Sequence, residues 1–160
     1  MDASVDAAGV LDEFSVASEP GNERAAMARV AEVVKDFGLP PLRLERLKTA
    51  VAEATMNAIE HGNHNEAELP VRLRVLSSAD AVMVTITDQG GLPESAPAPD
   101  SPDLEAKLAG LQTPRGWGLF LIKNMVDELT VSADGTEHTV SLTVRLHESA
   151  HQEDGHAEHL

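Results

Sequence analysis

The apolar residues of this chain pass from a helical to a strand spacing near Pro70, between residues 22–62 and 71–87, and that change limits the class of fold it can adopt. Before it, they recur every three or four residues. Ala26, Val30, Val33, Val34 and Phe37 make one stripe within residues 22–37, and Leu44, Leu47, Val51, Ala54 and Ala58 make a second. This is the repeat of helices with one buried face. After it, the period is two. Val71, Leu73 and Val75 alternate with Arg72 and Arg74, and AVMVTIT at residues 81–87 follows a turn at 77–80. Such alternation predicts an antiparallel hairpin with one face packed on helices and the other wetter.

The remaining segments fit around these. Residues 10–17 read as a first strand, with Leu11, Phe14 and Val16 as its apolar members. SEPG at 18–21 offers turn and cap residues before the first helix, GLPP at 38–41 divides the helices, and Gly62 ends the second as a C-cap. A compact helix over 116–126 begins on glycines. Strands at 129–132 and 138–146, joined across ADGTE, close the chain. The order predicts an α+β fold, a two-layer α/β sandwich with helices on one face of a mostly antiparallel sheet.

Composition narrows the class further. With 160 residues one domain is expected, over residues 10–146, with a disordered N-terminus at 1–9 and a flexible acidic tail at 147–160. The Pro-rich segment 90–114, with only a short helical patch near 103–111, is long enough to be a functional lid or a disordered insert. A net charge of −15 argues against direct binding of nucleic acid, whose phosphates are neutralised by Lys and Arg. Phe14, Phe37, Phe120 and Trp117 are the only aromatic residues, so the core is aliphatic. The chain has no Cys, hence no thiolate nucleophile and no Cys-based zinc site. No apolar run approaches the roughly 18 residues of a membrane span, and the N-terminus lacks the features of a signal peptide, so a cytoplasmic protein is expected.

Three short features carry chemistry. Glu53, Asn57 and His61 fall at i, i+4 and i+8, each about 40° from the last on a helix, and form a polar stripe along the edge of the buried face. Asn disfavours helix interiors, and its carbonyl is a hard oxygen ligand suited to Mg²⁺. Glu53 can accept a proton from a hydroxyl. Asp88, at a strand end, is an acceptor for an exocyclic amine such as that of adenine, and Gly90 and Gly91 let backbone approach the ring. The GxG at 116–118 offers N–H groups at a helix start, which favour a triphosphate. Singly, each has a plain alternative: a solvated polar face, a common turn, a weak glycine pair. His147, His151, His156 and His159 in the tail are compatible with a metal site and equally with a frayed terminus.

Together and in this order, the three features resemble the GHKL ATPase superfamily and, within it, the small serine kinases that act as anti-sigma factors. EATMNAIEHG matches the N-box at Glu53, Asn57 and His61; DQGG matches the first glycine box at Asp88 and Gly90. RGWGLFLI matches the second at Gly116, Gly118, Leu119 and Ile122, and MVDEL at 125–129 is typical of the anti-sigma branch. The resemblance covers roughly residues 10–146. It implies a Bergerat-type ATP site in which Asn57 binds Mg²⁺, Asp88 reads adenine, and residues 116–118 hold phosphates under the lid. His61, Gly90, Trp117 and Leu119 join the ATP site, and Arg115 adds a phosphate contact or is an ordinary surface Arg. Glu53 is the implied general base for a Ser or Thr hydroxyl. One departure stands out: the family often reads DxGxG where this chain has DQGGL, which bears on the lid hinge and leaves the adenine contact intact.

The activity implied is that of an anti-sigma factor that sequesters a sigma factor and phosphorylates an anti-sigma antagonist, with homodimerisation expected. An ATP-binding module that sequesters its partner without phosphoryl transfer is the alternative. A sensor histidine kinase fragment fits less well, since no helix with a phospho-acceptor His precedes the domain.

Overall fold

The alternation that begins at Val71 becomes β2 (Val71–Ser77), which pairs antiparallel with β3 (Ala81–Asp88). The computed structural model describes residues 9–90 and 119–146. Outside the hairpin lie β1 (Gly9–Val16) on the β2 side, and β5 (His138–Arg145) and β4 (Glu128–Ala133) on the β3 side. The sheet order is β1-β2-β3-β5-β4, and every pairing is antiparallel.

Both predicted helices form. Gly21, in the left-handed region at φ 101°, lets the chain turn into α1 (Asn22–Val34), and its N–H donates to Glu23 Oε1 at 2.9 Å. Pro41 opens α2 (Pro41–Asn57), where its fixed φ suits a first helical position. Ala26, Val30, Val34, Leu47, Val51 and Ala54 pack on Val71, Leu73, Val75, Val82, Val84, Ile86, Leu142 and Val144 of one sheet face. Burying such a side chain is worth about 1.5–3 kcal/mol, so this aliphatic layer supplies the main driving force. The opposite face is wetter: Arg72, Met83, Thr85, Ser141 and Thr143 are exposed or half-buried.

The structure differs from expectation at three places. β1 carries a register shift between Val10 and Asp12, and this bulge leaves Leu11 36% exposed rather than in the core. Asp12 instead takes two hydrogen bonds from Arg29, at 2.7 and 3.0 Å, which tie the edge strand to α1. Second, the helix expected over 116–126 is shorter within the described residues. Residues 119–122 are helical, a 3₁₀ turn follows at Lys123–Met125, and Val126 is already extended. Asp127 ends the helix by joining β5: its N–H donates to Thr143 O at 2.9 Å, and its Oδ2 accepts from the Arg145 N–H at 2.7 Å and Arg43 Nη1 at 2.8 Å.

Third, α2 does not stop at Gly62 with a left-handed cap. It widens into a π-helical turn, Ala58–Gly62, closed by the Asn63 N–H on Ala58 O at 2.8 Å. The residues with positive φ are His64 (53°) and Asn65 (58°) in the loop beyond. The segment 90–114 expected as a lid, apart from Gly90, lies outside the described residues, as do residues 1–8 and the tail 147–160; Gly9, expected in the disordered N-terminus, already belongs to β1. Among those described, no helix is long and apolar enough to cross a membrane.

Candidate functional site

At one end of the sheet the core face changes from aliphatic to polar. Along β3, Val82, Val84 and Ile86 face the helices, and by the same alternation so does Asp88, which is 1% exposed. Its register partner on β5 is His138, likewise buried, ahead of Val140 and Leu142 on that face. Opposite them runs the end of α2. Ala54, Asn57, Ala58, Ile86, Asp88, Leu119, His138 and Val140 thus enclose a narrow crevice with about 180 Å³ of space between their atoms. Its walls are apolar and its polar groups are one carboxyl, one amide and one imidazole.

The approach of the π-turn to the strand end requires glycine twice. A Cβ on Gly62 would stand 2.3 Å from Asp88 Cγ, and one on Gly90 would stand 2.6 Å from Gly62 O. The Gly90 N–H in turn donates to Asp88 Oδ1 at 2.8 Å. Asn63 locks this arrangement from behind. Fully buried, it donates through Nδ2 to Ser18 Oγ (2.9 Å), Leu69 O (3.1 Å) and Pro70 O (3.3 Å), and its Oδ1 accepts from the Gln89 N–H at 2.7 Å. The residue after Asp88 is therefore held by a side chain from the helix end.

The predicted residues separate into groups. Asn57 and Asp88 converge in the crevice and Leu119 lines it, 5% exposed. Asn57 is 6% exposed, and its Nδ2 has no hydrogen-bond partner among the described residues. Glu53, half-buried one turn earlier, makes no hydrogen bond or ion pair there either. His61 sits on the π-turn, 3.8 Å from Glu60 Oε1, and is not among the residues lining the crevice. An α-helix would carry it about 40° past Asn57; the wider turn leaves it short of that line. Gly91, Arg115, Gly116, Trp117 and Gly118 lie outside the described residues.

Three contributors were not singled out for these roles from the sequence. Gly62 reads as a cap but provides clearance for Asp88. Asn63 reads as loop, and only the tertiary fold brings Gln89 to it. His138 opens a strand, and nothing but the β3–β5 register reveals that it faces Asp88. No group of three or more His, Asp or Glu side chains is arranged to hold a metal among the described residues. A wider groove near Asp80, Met83 and Arg145 lies at the far end of β3 and β5 and contains none of the residues of the three motifs.

Chemically, the crevice brings a carboxylate acceptor, an amide and an imidazole together between apolar walls, and it must widen to admit a group as large as a base. Comparison with known proteins gives the family. Residues 16–144 match the family described as the histidine kinase-like ATPase domain. The anti-sigma F factor of Oceanobacillus iheyensis is 32% identical over 147 residues, covering 86% of this chain and 95% of that one. That of Bacillus subtilis is 32% identical over 146 residues, covering 86% and 92%. Among solved structures, the RsbU and RsbW domains of a Mycobacterium tuberculosis protein superpose with a TM-score of 0.61 at 17% identity, over 86% of this chain and 33% of the other, so that this chain spans about a third of it. The SiaB–SiaC complex of Pseudomonas aeruginosa gives 0.56 at 13% identity, over 84% and 89%, and at these identities both show the fold alone. The chain belongs to the histidine kinase-like ATPase family, in the branch that holds the anti-sigma F factors.

Proposed function

We propose that this protein is an anti-sigma factor with protein serine/threonine kinase activity: it binds ATP with Mg²⁺, sequesters a sigma factor and phosphorylates an antagonist protein. The observation that carries the reading is the convergence of Asn57 and Asp88 on one crevice, in a chain whose relatives are anti-sigma F factors. Asp88 accepts a hydrogen bond from the adenine amine, while Ile86, Leu119 and Val140 flank the ring. Gly90 lets backbone approach the base. Phosphates fall to Arg115, Gly116, Trp117 and Gly118, with His61 at the periphery of the site.

The Asn57 amide fits a metal that arrives with its nucleotide. Its oxygen is a hard ligand that would join phosphate oxygens and waters around Mg²⁺, while the buried Nδ2, without a partner among the described residues, would be left to donate to a phosphate oxygen or a water. When bound, the ion offsets the charge of the phosphates. Glu53 lies one helical turn before Asn57 and is uncommitted, so it is placed to take the proton of a Ser or Thr hydroxyl. The hydroxyl oxygen bonds to the γ-phosphorus, the bond to the bridging oxygen breaks, and ADP leaves with that electron pair. The protein's work is mainly positioning. A second copy of the chain is the expected oligomeric partner.

The test is transfer of label from γ-labelled Mg·ATP to a small protein in a lysate of the source organism. Label on Ser or Thr with the wild type, absent with Glu53→Ala and with Asn57→Ala, is the expected result. ATP binding without any labelled protein would favour a module that sequesters its partner without phosphoryl transfer.

A further inference from the structure

We infer that His138 is a positioning residue for the Asp88 carboxylate and so sets which purine the crevice accepts; the inference rests on the reading of Asp88 as the base contact. His138 is the first residue of β5, paired in register with Asp88 on one side and Ala133 on the other. It is 4% exposed and lines the crevice beside Asn57. Its Nδ1 stands 3.5 Å from Asp88 Oδ2 and has no hydrogen-bond partner among the described residues. A buried imidazole without a partner is unfavourable, whereas Leu or Phe would fill the same space without that penalty. The position therefore holds a polar ring whose nearest acidic group is the one the nucleotide needs.

The two oxygens of Asp88 divide the work. Oδ1 is committed to the Gly90 N–H at 2.8 Å. Oδ2 faces the imidazole, and a neutral ring with its proton on Nδ1 donates to it and fixes the carboxylate as an acceptor. An acceptor at that place welcomes the 6-amino group of adenine and repels the 6-oxo group of hypoxanthine. Without the donor, β5 loses the group that faces Oδ2, and the contrast between the two bases narrows. At 3.5 Å the contact is long; closure on a base that draws the carboxylate toward the ring would shorten it, as hydrogen bonds at sites of action commonly do.

The test compares dissociation constants of ATP and inosine triphosphate for the full chain as wild type, His138→Leu, His138→Asn and Asp88→Asn. The wild type should prefer ATP by about 100-fold, the cost of leaving a buried acceptor opposite a group that cannot donate to it. His138→Leu should lose about tenfold of that preference, roughly one hydrogen bond's worth. His138→Asn, whose amide nitrogen can sit where Nδ1 was, should restore most of it. A preference unchanged in His138→Leu, or lost equally in both His138 variants, overturns the inference while a loss in Asp88→Asn keeps the base contact. If Asp88→Asn retains the wild-type preference, the base contact itself falls, and the role of His138 with it. The wild-type protein gives a reading that needs no variant: nitrogen-15 spectra of the imidazole at neutral pH should find the proton on Nδ1, and a ring protonated on Nε2 alone overturns the inference.

Discussion

Asn57 and Asn63 are both buried, one at the last residue of α2 and one just past the turn that follows it, yet the fold treats them oppositely. Asn63 uses its amide completely, joining the β1–α1 turn through Ser18, the loop through Leu69 and Pro70, and the strand end through Gln89. Asn57 leaves Nδ2 without a partner among the described residues, in a crevice that also contains Asp88. A buried polar group satisfied by the fold belongs to its architecture. One left unsatisfied weakens the fold slightly and marks where something else binds, because such groups are rarely tolerated without a use. Thr55 Oγ1 and Arg74 Nε are also without a hydrogen-bond partner among the described residues and do not line the crevice, so architecture and site are told apart by the hydrogen bonds and the crevice together.

The comparison can be broken most forcefully at Gly62. Gly62→Ala drives a methyl into the Asp88 carboxyl group, 2.3 Å from Cγ and 2.5 Å from each oxygen, and that side chain is buried and held by the Gly90 N–H. It should lower stability by roughly 3 kcal/mol and abolish ATP binding, as overpacking of a closed contact does. Urea denaturation and calorimetric titration read the two effects. If both are small, the close approach of the turn to β3 is not a feature of the protein in solution.

Next in size is Asn63→Ala. It removes the partner of the Gln89 N–H and the Asn63 donor to Ser18 Oγ, Leu69 O and Pro70 O, although the Ser18 hydroxyl still donates to Leu69 O. The variant should lower unfolding free energy by roughly 2 kcal/mol with a secondary loss of nucleotide affinity. Equal stability of variant and wild type would remove Asn63 from the architecture. Asp127→Ala serves as the distant control. It removes the acceptor shared by Arg43 and the Arg145 N–H and should lower stability by about 1 kcal/mol, with ATP affinity unchanged. A loss of affinity as large as that of Asn63→Ala would join the two ends of the sheet and dissolve the contrast.

The smallest effect concerns acid. The Arg29 side chain holds the Asp12 carboxyl below its usual 3.8, and the Glu137 and Thr136 N–H groups do the same for Asp134. Folded values below unfolded ones mean stability that is present above about 3.8 and is lost as pH falls through the lower folded values. Both side chains are at the surface, so the contribution is small and salt-sensitive. Asp12→Ala with Asp134→Ala should be slightly less stable than the wild type at neutral pH and indistinguishable from it at the acid end. A gap that persists in acid would assign the loss to packing instead of charge.

Much of this was legible in the sequence wherever a repeat carried it. The stripes of α1 and α2 and the alternation of β2 and β3 place Ala26, Val30, Leu47, Val51, Leu73 and Val84 in the core as their spacing requires. Asp88 and Asn57 were legible as chemistry because their short motifs occur in order, and their convergence needed the fold. What escaped were features with no period. A bulge at Val10–Asp12 reverses Leu11 without changing composition, and a π-turn adds residues to a helix whose pattern looks uniform. His138 and Asn63 act through strand register and loop closure, which bring together residues far apart in the chain.

The most direct measurement is unfolding free energy and ATP affinity on the single variant Asn57→Ala. With its unsatisfied amide removed, the protein should be as stable as the wild type, or up to about 1 kcal/mol more so, while Mg·ATP affinity falls by about 100-fold. A variant that loses stability as Asn63→Ala does and still binds Mg·ATP like the wild type would contradict the account, since Asn57 would then be architecture and the crevice would not be the nucleotide site.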